Sequence, residues 1–216
     1  MHFTTLFLLF LSYVLGSIPF GLLLSRTQGV DIRSKGSGNI GATNVFRMVG
    51  KKWGLLCFLL DFLKGLVSAW IFPIILLSPE TLQTNPNLPL LAGASAILGH
   101  NFPVWLKFKG GKGIATSAGV IVAVAPWCIL AAAIVWGLSM AVSRIVSLSS
   151  ILAAITIAVS TWFLPPANPV IDGILTALGL IAIYRHRTNI QRLLKGEEHR
   201  FGKKGQQKNP PENTGR

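Results

Sequence analysis

Charge is scarce in this chain, and negative charge is scarcest. Among 216 residues, 7 Asp and Glu stand against 20 Lys and Arg, and charged residues of both signs make up 12%. A soluble globular domain carries roughly 25%. Long stretches hold almost no charge at all, which excludes an ordinary soluble fold. They point to a chain whose solvent is partly lipid, where a spanning helix needs about 20 mostly apolar residues. Cysteine is equally scarce: Cys57 and Cys128 both lie in apolar segments, which excludes a disulfide framework or a zinc site and leaves them as packing residues. No metal-ligand spacing, serine elbow or carboxylate pair appears, so no metal or cofactor is expected. A net charge of +13 would suggest nucleic acid on a soluble surface. Its placement assigns it to the membrane instead, with lipids as the partner and no nucleic acid.

What is present is a series of apolar runs at about 3–24, 53–77, 88–106, 114–143, 146–164 and 168–184. The first has no Lys or Arg before it and no convincing small-residue cleavage site before Arg26, so it reads as a retained helix and not a signal peptide. Arg26, Arg33, Lys35, Arg47, Lys51 and Lys52 follow that run; Lys107, Lys109 and Lys112 follow the third; the segment from Arg185 is crowded with basic residues. Cytoplasmic loops are enriched in Lys and Arg, which sets the N-terminus outside. A single helix over 114–143 would put Arg144 and the basic tail outside as well. Splitting that run near Pro126 restores the parity, since proline disfavours a continuous helix. The expectation is an all-α, polytopic integral membrane protein with about seven transmembrane helices and a cytoplasmic C-terminus. Residues 1–202 form a single domain, and 203–216 a basic, disordered cytoplasmic tail that can rest on anionic head groups. Asp61 and Lys64, three apart within a span, can neutralise each other, and intramembrane charges are functional candidates by default. Gly93 to Ala96, and Gly173 with Ala177, suit close helix packing in lipid.

Three polar islands fall on the cytoplasmic side. The first runs from Ser34 to Asn44 and on to Arg47, and includes Gly36, Ser37, Gly38, Asn39, Gly41 and Thr43. Its glycines free the backbone to turn N–H groups toward an anion, and Arg47 offers a bidentate contact. The literal G-x-G-x-x-G from Gly36 to Gly41 is no dinucleotide site, because a membrane helix precedes it in place of a strand. The second island is Gly110-Gly111-Lys112-Gly113, leading to Thr116 at the start of a helix. Helix N-terminal N–H groups and a lysine make another anion site, but the spacing is not that of a phosphate-binding P-loop. The third is Tyr184 to Asn189, continuing to Arg192, Gly196, Glu197 and Glu198. If the last helix continues, His186 and Asn189 share a face. His100 just precedes the second island. None of the histidines has an acid five positions on, which excludes the arrangement of soluble acyl-CoA-dependent acyltransferases.

Gly36-Ser37-Gly38-Asn39-Ile40-Gly41-Ala42-Thr43-Asn44 with Arg47, then Gly99-His100-Asn101-Phe102-Pro103 with Phe108 to Thr116, then Tyr184 to Asn189 with Arg192 and Gly196 to Phe201, resemble the three motifs of the acyl-phosphate-dependent glycerol-3-phosphate acyltransferases. The resemblance implies a seven-helix membrane fold and the first acylation of bacterial phospholipid synthesis. The substrates would be acyl phosphate and glycerol 3-phosphate, the products lysophosphatidate and phosphate, with no obligate protein partner. For that reaction Ser37, Arg47 and Lys112 are expected to bind phosphate and stabilise charge, and His186 and Asn189 to position the substrates or stabilise the developing oxyanion. The general base is left open between His186 and the donor phosphate. Glu198 would orient basic side chains or bind glycerol hydroxyls, and the fatty chain would lie between helices. The rival reading, a transporter of phosphate esters, needs a site near mid-membrane open to both faces.

Overall fold

Proline decides where several of the apolar runs break. The computed structural model describes residues 3–202; the expected disordered tail lies outside the described residues. Helix α1 (Phe3–Ser17) gives way at Ile18–Pro19 to α2 (Phe20–Arg26), because proline has no N–H to donate to the preceding turn. After a 3₁₀ turn at Ile32–Ser34, α3 (Ala42–Met48) and α4 (Lys51–Leu66) follow, and α4 passes through a π turn at Val67–Ile71 into α5 (Phe72–Leu76). Next come α6 (Pro79–Thr84), α7 (Leu88–Asn101), a 3₁₀ turn at Val104–Leu106 and α8 (Ile114–Val124). Then follow α9 (Pro126–Ser143), α10 (Val146–Ser160), α11 (Pro169–Arg185) and α12 (Arg187–Leu194), and no strand occurs among the described residues.

The long run 114–143 is two helices, parted at Ala125–Pro126. Three stretches, Phe3–Arg26, Lys51–Leu76 and Pro126–Ser143, are by themselves long and apolar enough to cross a membrane. The last apolar helix does not continue straight through His186: α11 and α12 meet at 55°. The 11 residues of α8 extend only about 16 Å.

The helices pack α1 on α7, α4 on α8, α9 on α10 and α10 on α11. Lipid offers no hydrophobic drive to this packing, so close backbone approach matters. Gly65 of α4 lies against the main chain of Thr116, and Gly119 of α8 against that of Phe62; a methyl group at either would push the two helices apart. Gly93 packs on Val120, whereas Gly173 faces open space. On the outside, Phe10, Ile75 and Leu138 are each more than 60% exposed, an arrangement that hydrocarbon tolerates and water penalises. The end of α2, the turn between α7 and α8, and the end of α11 lie together. That convergence brings all three polar islands around one cavity.

Candidate active site

The first island is half loop and half helix, with Gly41 as the N-cap of α3. Asn44, on the first turn of α3, organises the loop. Its Oδ1 accepts from Ser37 N at 3.1 Å, and its Nδ2 donates to the carbonyls of Ile32, Lys35 and Asn39 at 3.2, 3.0 and 2.9 Å. Gly41 N donates to Asn39 Oδ1 at 2.8 Å and Gly38 N to the Lys35 carbonyl at 3.0 Å. Three of the N–H groups expected to cradle an anion therefore hold the loop itself together. Gly36 and Gly38 adopt positive φ of 57° and 69°, which favours glycine. Arg47, one turn further along α3, sits with its guanidinium carbon 5.4 Å from the centre of the Phe201 ring, within cation–π range.

The second island is a strap laid across the end of α7. Gly110 N donates to the Asn101 carbonyl at 3.2 Å and Gly111 N to the His100 carbonyl at 3.1 Å. Arg185 clamps the strap from the other side, donating through Nη2 to Gly110 O at 2.8 Å and through Nη2 and Nε to Gly111 O at 2.7 and 3.1 Å. Gly110 and Gly111 thus support the loop, and their amides do not face a ligand. Lys112 follows, and Gly113, at a φ of 81°, caps α8. Thr116 is fully buried against α4.

From the third island, Lys112 Nζ donates to Asn189 Oδ1. Asn189 Nδ2 donates to Glu198 Oε1 at 2.9 Å, and Arg192 Nε donates to Glu198 Oε2 at 2.7 Å. Burial raises the Glu198 carboxyl, but the hydrogen bonds from Arg192 and Asn189 outweigh it and leave its pKa lowered. Burial brings Lys112 down to about 8: nearby Glu198 opposes the fall, while Arg192, Arg47 and Arg185 add to it. His186 sits past the end of α11, with its Nδ1 2.8 Å from the Ala182 carbonyl. A carbonyl only accepts, so Nδ1 carries the proton and the neutral ring keeps Nε2 bare. Burial, and then the Lys112 charge, hold the imidazole down at about 4. It is therefore neutral near pH 7.

These groups enclose a cavity of about 170 Å³. Ser37, Asn39, Gly41, Thr43, Asn44, Arg47, Lys112, Gly113, His186, Asn189 and Glu198 all line it. Gly36, Gly38, Gly110, Gly111 and Thr116 do not; they serve the loops behind it. The sequence reading passed over Ser147 and Ser150 of α10 and Trp136 of α9, which also line the cavity. Ser147 and Ser150 stand three apart at the start of an apolar run, which is the only signal they give. Asp61 and His100 reach the cavity wall from α4 and α7.

A second cavity of about 280 Å³ lies between α8, α9, α10 and α11, with an almost wholly apolar lining. Phe58, Ile114, Trp136 and Ser150 border both cavities, so the polar chamber and the apolar one share a wall. The arrangement suits a molecule with an anionic head and a hydrocarbon tail.

Residues 6–196 match the glycerol-3-phosphate acyltransferase family. The chain is 44% identical to the glycerol-3-phosphate acyltransferase of Aquifex aeolicus over 198 residues, covering 91% of this chain and 98% of the relative. It is 45% identical to that of Myxococcus xanthus over 195 residues, covering 90% and 98%. The crystal structure of PlsY (YgiH), an integral membrane glycerol 3-phosphate acyltransferase, in its glycerol 3-phosphate form is similar with a TM-score of 0.82. The two chains are 42% identical, with 92% of this chain and 96% of that one covered. The lysophosphatidic acid form gives 0.79 at 42% identity, with 92% and 95% covered. This chain belongs to the glycerol-3-phosphate acyltransferase family.

Proposed function

We propose that the protein transfers a fatty acyl group from acyl phosphate to the C1 hydroxyl of glycerol 3-phosphate. The products are 1-acylglycerol 3-phosphate and inorganic phosphate. The observation that carries this reading is the shared wall between the cationic chamber and the apolar cavity, at Ile114, Trp136 and Ser150. An acyl chain lying in the apolar cavity would bring its carbonyl to that wall, beside Lys112 and His186.

The hydroxyl oxygen attacks the acyl carbonyl carbon, the new C–O bond forms, and the bond to the phosphate oxygen breaks. Lys112 and Arg47 offset the charge of the phosphates and of the developing oxyanion, a role worth several kcal/mol in a site of low dielectric. Ser37 and Thr43 add neutral donors. The bare Nε2 of His186 is an acceptor for the attacking hydroxyl's hydrogen bond, and orients it. The proton leaves on the departing phosphate or passes through His186. Asn189 and Glu198 hold Lys112 in place.

The site stands at the cytoplasmic face of a bacterial inner membrane, in a fold of seven crossings with the N-terminus outside. α1–α2, α4–α5, α7, α8, α9, α10 and α11 are the crossings, an odd number that brings Arg144 and the C-terminus to the side of the three islands. A reporter fused after Arg216 is expected in the cytoplasm; a periplasmic signal would overturn the topology. For the donor, enzyme reconstituted in lipid is given labelled glycerol 3-phosphate with palmitoyl phosphate or with palmitoyl-CoA. Labelled lysophosphatidate is expected from palmitoyl phosphate only. Product from palmitoyl-CoA would refute the donor, and uptake of label without acylation would favour a transporter.

A further inference from the structure

A second charged cluster lies deeper, under the strap that bears Lys112. Lys64 of α4 is buried, held by one ion pair and two hydrogen bonds. Its Nζ lies 2.8 Å from Asp61 Oδ1, 2.9 Å from His100 Nδ1 and 3.2 Å from the Ile18 carbonyl at the break between α1 and α2. An ammonium only donates, so His100 Nδ1 accepts from Lys64, and the same nitrogen lies 3.5 Å from Asp61 Oδ1. The far side of that ring lies directly beneath Gly111, where any β-carbon would collide with it. The His100 carbonyl also accepts the Gly111 N–H at 3.1 Å. His100 thus meets the strap through both its ring and its main chain, immediately before Lys112.

We infer that Asp61, Lys64 and His100 form a positioning cluster for the catalytic strap: Lys64, anchored by Asp61 and Ile18, fixes the His100 ring as a floor on which Gly111 rests, and so sets where the Lys112 ammonium stands. The inference rests on the reading of Lys112 given above. A buried ion pair is a poor source of stability, and apolar replacement of both partners is often neutral. Its placement on the floor of this strap gives it a use that stability does not.

Two variants test the cluster. His100→Asn keeps an acceptor near the Nδ1 position for Lys64 but removes the ring edge under Gly111. The double change Asp61→Leu with Lys64→Met removes both charges together and leaves His100 without its donor. Each is assayed in lipid for kcat, KM for glycerol 3-phosphate and thermal unfolding, beside wild type and Lys112→Arg. The cluster predicts unfolding midpoints close to wild type for at least one of the two variants. In that variant kcat/KM falls tenfold or more, with the loss divided between kcat and KM as it is in Lys112→Arg, because both lesions misplace the same charge. Near-wild-type kcat/KM in a folded variant would overturn the proposal. So would a loss divided differently from that of Lys112→Arg, or failure of both variants to fold, which would make the cluster structural. Absence of turnover in wild type, or an unaffected Lys112→Arg, would instead refute the underlying reading of the site.

Discussion

Lys112 and Asn189 stand 77 positions apart in sequence, yet the Lys112 ammonium donates directly to the Asn189 side-chain oxygen. The other end of that amide donates to Glu198 at 2.9 Å, so the amide's orientation is fixed from both sides. The amide ties Lys112 to a carboxylate without neutralising it. An ammonium has three donors, and the hydrogen bond to Asn189 occupies one. The charge therefore remains available to a phosphate.

Asn189→Asp tests this separation. A carboxylate at this position would pair with Lys112 outright, lose the donor to Glu198 and repel an incoming phosphate. The expected result is a KM for glycerol 3-phosphate raised tenfold or more, a larger rise than Asn189→Ala gives. Steady-state kinetics on the two variants compares them.

The pH profile follows from two shifted groups. In the proposed reaction Lys112 acts as a cation; it loses its proton as pH rises through about 8, so kcat/KM is expected to fall above that. The proposed role of His186 is that of a neutral acceptor; it gains a proton as pH drops through about 4, so activity is expected to fall again there, with a plateau between. The kcat/KM profile reports the free enzyme. Lys112→Arg should push the upper limb to higher pH, because guanidinium stays charged. Glu198→Gln should draw the limb lower, since the Glu198 charge supports the Lys112 proton.

Ala153 of α10 lines the apolar cavity. Ala153→Phe narrows that space and leaves the polar chamber untouched. The expected outcome is a loss of roughly tenfold in kcat/KM with palmitoyl phosphate and little change with an eight-carbon donor. A series of acyl phosphates of increasing length, assayed on both proteins, reads the difference.

Asn44 holds three carbonyls and one amide of the first loop. Asn44→Ala removes these bonds and is expected to cost about 2 kcal/mol of stability. Asn44→Asp should be worse, since it sets a carboxylate against three carbonyl oxygens. Thermal unfolding in detergent ranks the two.

The islands that meet around the chamber were legible because polar residues in an apolar chain have few reasons to be there. Proline marked the division at Ala125–Pro126 for the same kind of reason, being a local signal with one physical consequence. Roles within the islands were harder to read. Asn44 and Asn189 look alike in sequence, but one organises a loop and the other holds a lysine, and only the partners distinguish them. Arg185 passes for a basic helix stop, yet it clamps the carbonyls of Gly110 and Gly111. Gly36 and Gly41 share one motif, but only Gly41 reaches the chamber. Trp136, Ser147 and Ser150 lie in apolar runs whose pattern is set by lipid, so nothing local marks their inward faces.

In the proposed reaction one chamber takes the phosphates of both substrates, and Lys112 offsets their charge. The direct measurement is phosphate release by the purified protein in lipid, supplied with palmitoyl phosphate and glycerol 3-phosphate, beside Lys112→Ala. Release that requires both substrates and falls a hundredfold or more in the variant, about 3 kcal/mol in the barrier, is the predicted result. Release without glycerol 3-phosphate, or an undiminished rate in Lys112→Ala, would contradict it.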